Sequence, residues 1–144
     1  VRDRAQHIAG RAMTDIVRSA PEIGYLSPQS FAELGISQTV TAGGTVYVSG
    51  IAPLTPEFDV VGPDLAEQLR FVLDVLDRSL VAAGTDRTRL VAWTIYARDL
   101  TALSGCLPML RDWVGEHRPA STWIGAAGFI HPAQLIELTA TAVI

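Results

Sequence analysis

Thiol and imidazole are scarce in this chain: one cysteine, Cys106, and three histidines, His7, His117 and His131, in 144 residues. A single thiol excludes an intrachain disulfide framework and fits a reducing compartment. The histidines fall in separate segments without the spacing of a metal site. His117 and His131 flank the last two strand-like stretches, read as one hairpin, and are the pair that such a turn would bring together. The simpler reading is exposed loop histidines. Charge is sparse too, with 18% Asp, Glu, Lys and Arg and a net charge of −4. Nothing in that balance favours nucleic acid or an anionic membrane. No apolar run approaches the roughly 20 residues of a membrane-spanning helix. The opening stretch VRDRAQHIAGRAMTDIVRS is too charged for a secretory signal. GxSxG, Walker, GxGxxG and HExxH patterns are missing. The expectation from these absences is a soluble, cytoplasmic protein.

What is abundant is apolar surface, at 49% of residues. For one small domain that is more than its core needs, and oligomerisation would bury the surplus. Ile8, Ala12, Ile16 and Val17 share a helical stripe in residues 1–19, which Pro21 ends. PEIGYLSPQS reads as a turn-rich connector. Residues 1–30 are therefore expected as a helical extension with its connector, and 31–144 as the globular domain. Alternation around Gly43-Gly44 predicts a hairpin, 35–41 with 45–51. Asp64 caps a helix striped by Leu65, Leu69, Val72, Leu73, Leu76 and Leu80, and Gly84 closes it. RLVAWTIYA reads as a strand. A second helix is expected from about 101 or 104 to 115, since Pro108 favours a start near Ser104. Strands over 121–127 and 134–143 complete the order α-β-β-α-β-α-β-β. That order predicts an α+β fold: a mixed sheet, both main helices on one face, a hairpin at each end, and a bare face rich in Val, Ile, Trp and Ala.

Two residues carry possible chemistry by themselves. Cys106, in the first turn of a helix starting near Ser104, would have its thiol acidified by the helix dipole; the alternative is a small buried hydrophobe. Glu137 is the lone acid in QLIELTATAVI. Period-two geometry puts Glu137, Thr139 and Thr141 on one strand face, and a carboxylate there is at an edge, paired, or lining a cavity. The same period puts Ser121 and Trp123 together on the preceding strand.

GISQTVTAGGTVYVSGIAPL, DLAEQLRFVLDVLDRSLVAAG, LVAWTIYARDL, GEHRPAST and LIELTATAV together resemble the RidA/YjgF family, the reactive-intermediate deaminases, from about Gly35 to Ile144. The resemblance implies a fold like the bacillus type of chorismate mutase, assembled as a homotrimer with sheets inside and ligand pockets in the clefts between subunits. Typical members hydrolyse enamines or imines such as 2-aminoacrylate without metal or cofactor. They hold the substrate carboxylate with an arginine after a Pro-Ala pair; that position here is Ser121, and Trp123 follows on the same face. Their water-orienting glutamate is the second acid of an E-[IL]-E-A pattern; here that position is Thr139. The aromatic before the family's Ser-Gln pair is Ile36 here, followed by Ser37 and Gln38, and the asparagine of the second helix falls at Leu107. The scaffold is kept and its carboxylate clamp is not. The expected activity is therefore hydrolysis, tautomerisation or cyclisation of a larger or more apolar intermediate, with Glu137 as acid/base and Thr139 and Ser121 as hydrogen-bond donors. A non-catalytic binding protein, or an ordinary 2-iminoacid deaminase using Arg98 or Arg118, are the alternatives.

Overall fold

A computed structural model describes residues 15–144. Six strands form one mixed sheet: β1 (Ile16–Ser19), β2 (Thr39–Ala42), β3 (Thr45–Ile51), β4 (Leu90–Ala97), β5 (Ala120–Gly125) and β6 (Ile136–Val143), in the order β1-β2-β3-β6-β4-β5. Among the described residues four α-helices accompany it, α1 (Pro28–Leu34), α2 (Leu65–Ala82), α3 (Leu100–Gly105) and α4 (Leu107–Val114), with a 3₁₀ turn at Arg87–Arg89.

Much of this follows directly from side-chain chemistry. The turn between β2 and β3 needs two left-handed residues, and Gly43 and Gly44 supply them at φ 56° and 79°. The carboxylate of Asp64 accepts the Glu67 N–H at 2.9 Å and starts α2. The α2 stripe buries Leu69, Val72, Leu73, Leu76 and Leu80 against the sheet, and Gly84 sits beyond the helix end at φ 90°. The core lies between α2 and the inward residues Val46, Val48, Trp93, Ile95, Leu138 and Ala140.

Four expectations are corrected. Ile16 and Val17, placed on the N-terminal helical stripe, lie in β1, paired antiparallel with β2; two adjacent β-branched residues suit a strand. Ile8 and Ala12 lie outside the described residues. The connector also holds α1, which Ser27 caps by accepting the Ser30 N–H. The second helix is two helices meeting at Cys106. Asp99 caps the first, and Pro108, lacking an N–H, is accepted only in the opening turn of the second. Finally, β5 and β6 form no hairpin. β6 inserts between β3 and β4, antiparallel to both, while β5 lies parallel to β4 at the edge.

The bare face is also composed differently. Strand register turns Trp93 inward with Ala140. The outward face carries Tyr47 beside Thr141, Thr94 beside Thr139, and Tyr96 beside Glu137, with Thr122 and Ile124 on β5. Threonine and tyrosine share it with Val40, Ala42, Ala92, Ile124 and Val143, so of the expected residue types only tryptophan is turned away.

Candidate functional site

Glu137 opens β6 on the outward face. Its position is fixed from several sides. Between Val48 and Ile51 the β3–β6 register slips by one residue, so Ser49 and Gly50 bulge opposite Thr139. The bulge brings Gly50 beneath the Glu137 carboxyl group: a Cβ on Gly50 would lie 3.2 Å from Cδ and 3.3 Å from Oε2. Ser49 donates its hydroxyl to the Ser37 carbonyl, and its N–H bonds the Gln38 carbonyl at 3.0 Å. The segment Ile36-Ser37 is thus tied to the bulge next to Glu137, with Ile36 itself exposed. Tyr25 secures the end of β3, both donating to the Ala52 carbonyl and accepting the Ala52 N–H at 3.0 Å. Its ring packs edge-on against Phe31 of α1 and Phe71 of α2.

Burial raises the Glu137 pKa above the ordinary carboxylate range, and a hydrogen bond from the Gln134 side chain opposes part of that rise. Burial likewise pushes the Tyr25 phenol up to about 12; the bond to Ala52 lowers it and the Glu137 charge raises it. The electrostatics describe a half-buried carboxylate with a neutral phenol in its vicinity and no salt-bridge partner among the described residues. Such a group, when ionised, is a stronger base than an ordinary carboxylate.

The remaining expected residues stand elsewhere in the single chain. Ser121 and Trp123 pair in register with Trp93 and Ile95, so they share the helix-side face of the sheet. Leu107 starts α4 and is exposed. One strand, β4, separates β6 from β5, which puts them roughly 10 Å apart in space. One chain therefore brings together Glu137, Thr139, Ile36 and Ser37, and holds Ser121, Trp123 and Leu107 apart from them.

Ser121 also has a partner. The Trp93 indole N–H donates to its Oγ at 2.8 Å. Trp93 stacks on Trp113 of α4 at 5.6 Å, and the Arg87 guanidinium lies 4.9 Å over the Trp113 ring. One acceptor position of the serine oxygen is committed to this column. Ser121→Ala should leave the indole unpaired and lower stability by about 1–2 kcal/mol, while Ser121→Thr retains it; thermal unfolding followed by tryptophan fluorescence separates the two.

Cys106 is half-buried against the core, and its thiol is raised, first by burial and then by the charge of Asp64. It is the N-cap residue of α4 without a side-chain cap hydrogen bond, and the net effect of its surroundings is a raised thiol pKa, not the lowered one expected. His117 and His131 lie before and after β5, at opposite ends of a strand of six residues. The His131 Nδ1 accepts the Ala133 N–H. No cluster of metal-ligating side chains occurs among the described residues, and none of their helices is long and apolar enough to cross a membrane. A groove of about 640 Å³ between α2 and α4, lined by Leu73, Asp77, Arg87, Met109, Asp112 and Trp113, lies on the helix side, away from Glu137. Its Arg87 and Asp77 neutralise each other at 2.8 Å.

Three residues around Glu137 escaped sequence reasoning: Gly50, Gln134 and Tyr25. Gln134 stood next to the apolar run of β6 without a visible reason, and Tyr25 lay in a connector read as turns.

Comparison with known proteins places this geometry in context. The profile of the family described as endoribonuclease L-PSP matches residues 28–144. The chain is 33% identical over 102 residues to the 3-aminoacrylate deaminase RutC of Acinetobacter baylyi, covering 70% of this chain and 80% of that protein. It is 29% identical over 85 residues to a RutC family protein of Pyrococcus abyssi, covering 58% and 67%. Among solved structures, a YjgF/YER057c/UK114 family member of Mycobacterium tuberculosis superimposes with a TM-score of 0.76 at 22% identity, over 90% of this chain and 100% of that one. A Rid family protein of Yersinia pestis gives 0.78 at 24% identity, over 90% and 100%.

Proposed function

Because this chain belongs to the RidA/YjgF family, described also as endoribonuclease L-PSP, we propose that it is an enzyme of reactive-intermediate chemistry. Its substrate is an imine or enamine larger or more apolar than 2-aminoacrylate. The observation that carries this reading is the Glu137 carboxylate, half-buried over Gly50 and without an ion-pair partner, combined with a serine at 121 already engaged by Trp93. A relative is named 3-aminoacrylate deaminase, and the same reaction class needs what Glu137 offers. Water adds to the C=N carbon while Glu137 takes its proton. That proton passes to nitrogen to give a carbinolamine; the hydroxyl proton is then moved to the amino group, the C–N bond breaks, ammonia leaves, and a carbonyl compound remains. The activity is proposed for the cytoplasm and draws on side chains and water alone.

The site is completed between copies in a homotrimer. Within one chain, Ser121, Trp123 and Leu107 lie on the opposite side of the sheet from Glu137 and Thr139, so a cleft holding both groups takes one set from each of two subunits. The outward face supports this packing: Tyr47 is 52% exposed and Ile124 41% exposed at its centre and edge, an apolar share that association would cover. Such a cleft presents Trp123, Leu107 and Ile36 as walls, with exposed Arg98 at its margin, which favours an apolar substrate over a small carboxylate.

The test supplies imines generated in situ by an amine oxidase from arylalkyl amines, and 2-iminoacids generated by an amino-acid oxidase. Carbonyl release is followed above the spontaneous rate. Acceleration of the arylalkyl imines over the 2-iminoacids is expected. No acceleration of any imine, with ligand binding retained, would leave a non-catalytic binding protein. A second reading, ordinary 2-iminoacid deamination, has one observation in its favour: exposed Arg98 follows β4 at the Glu137 end of the sheet, its N–H bonded to the Leu135 carbonyl at 3.2 Å. Preference for small 2-iminoacids, lost in Arg98→Ala, would select that reading.

A further inference from the structure

Gln134 is a buried polar residue that the chemistry above does not use. Its side chain is fully buried, at 0% exposure, immediately before β6. Its Nε2 donates to the Ile136 carbonyl at 3.0 Å, and the amide lies near enough to the Glu137 carboxyl group to hold down its pKa. Its Oε1 has no partner. A buried amide left half-satisfied opposes folding, and such groups are uncommon unless they serve something else.

Its backbone is held firmly. Gln68 of α2, itself buried, donates to the Ala133 carbonyl at 3.1 Å and accepts the Leu135 N–H at 2.8 Å. The residues on both sides of Gln134 are thus tied to the helix layer. On the far side of the carboxylate stands Gly50. Its φ is not positive, so the turn does not demand glycine; the space does, because a methyl group there would crowd Cδ at 3.2 Å. Glu137 is thus confined between an amide and a missing side chain.

We propose that Gln134 is a positioning residue for Glu137. Its amide N–H aims the ionised carboxylate over Gly50, and its unpartnered Oε1 accepts the O–H when Glu137 takes up a proton. An amide is suited to both states, since it offers a donor to a carboxylate and an acceptor to a carboxylic acid. This rests on the reading that Glu137 cycles between the two. The other ionisable groups near the carboxylate are Tyr25, neutral because its phenol titrates at about 12, Tyr96, its register neighbour on β4, and exposed Arg98 beyond the end of that strand. None of them duplicates the amide.

The experiment follows the Glu137 carboxyl carbon by NMR across pH in protein labelled at glutamate, the signal being identified by its loss in Glu137→Gln. In Gln134→Met the midpoint should rise by roughly one pH unit, because a donor to the charged form is gone. The acid limb of the pH–rate profile should rise with it. Gly50→Ala, which displaces the carboxylate from the other side, should also shift the midpoint and serves if Gln134→Met does not fold. An unchanged midpoint in the folded variants would overturn the role of Gln134. A midpoint that moves while the acid limb stays in place supports that role and removes Glu137 from the chemistry instead, so the two failures are distinct.

Discussion

Glu137→Gln is expected to lower turnover of the preferred imine by about 10²–10⁴-fold, the range that a positioned general base contributes. The substitution keeps the side-chain shape, so the loss should fall on kcat with KM little changed. It should also make the protein more stable at neutral pH. The sign follows from the direction of the shift. Burial raises the folded-state pKa of Glu137 above its unfolded value, so the folded form binds the proton more tightly. Its contribution to stability is complete below the ordinary glutamate range and is lost as pH rises through the raised pKa. At pH 7 the ionised side chain therefore opposes folding, and an uncharged glutamine removes that opposition. Thermal unfolding of the two proteins at pH 4 and pH 7 checks this. The gap in Tm should be wide at pH 7 and narrow at pH 4. A stabilised but inactive variant is what a carboxylate kept for chemistry predicts. An unaffected rate would remove Glu137 from the mechanism.

How far Glu137 was legible beforehand is instructive. Period-two alternation in QLIELTATAVI is a local property, and it correctly placed Glu137, Thr139 and Thr141 on one face, half-exposed while Leu138, Ala140 and Ala142 are buried. The α2 stripe and the Gly43-Gly44 turn were legible for the same reason, since each is set by neighbours a few residues away. Strand partners are not. The pairing of β6 with β3 and β4 joins residues about ninety and forty positions apart (Val46 with Ala142, Ile95 with Leu138), and no local pattern distinguishes it from a β5–β6 hairpin. The error propagated to the site. With β5 beside β6, Ser121 and Glu137 look like neighbours; with β4 between them and Ser121 turned toward Trp93, they are not. The supporting residues were hidden for a different reason. Gln134 and Gly50 matter through a hydrogen bond and a missing methyl group, and neither leaves a periodic trace. The face taken by Trp93 was not legible because RLVAWTIYA is apolar in both registers, and only pairing decides which alternate set turns inward.

Thr141→Arg is expected to convert the proposed trimer to a monomer while the chain stays folded. Thr141 lies mid-sheet on the outward face, with Tyr47 on one side and Ala92 on the other. In the isolated chain it is half-exposed, so an arginine there can reach water and costs the fold little. In a trimer packed through this face, each subunit would bury a guanidinium with no acid opposite, since Glu137 lies two pairs farther along β6. An uncompensated buried charge costs about 3–5 kcal/mol, and a threefold assembly incurs it three times. Light scattering at micromolar concentration should show the change in mass, with circular dichroism unchanged. Val81→Arg, at a side chain 66% exposed on α2, should leave the assembly as it was. The activity assay then joins the two proposals. If the cleft takes Glu137 from one subunit and Trp123 from another, the Thr141→Arg monomer must lose turnover although every residue of the site is still present in it. A monomer with full activity would confine the site to one chain, and a wild-type protein that is already monomeric would contradict the packing of this face altogether.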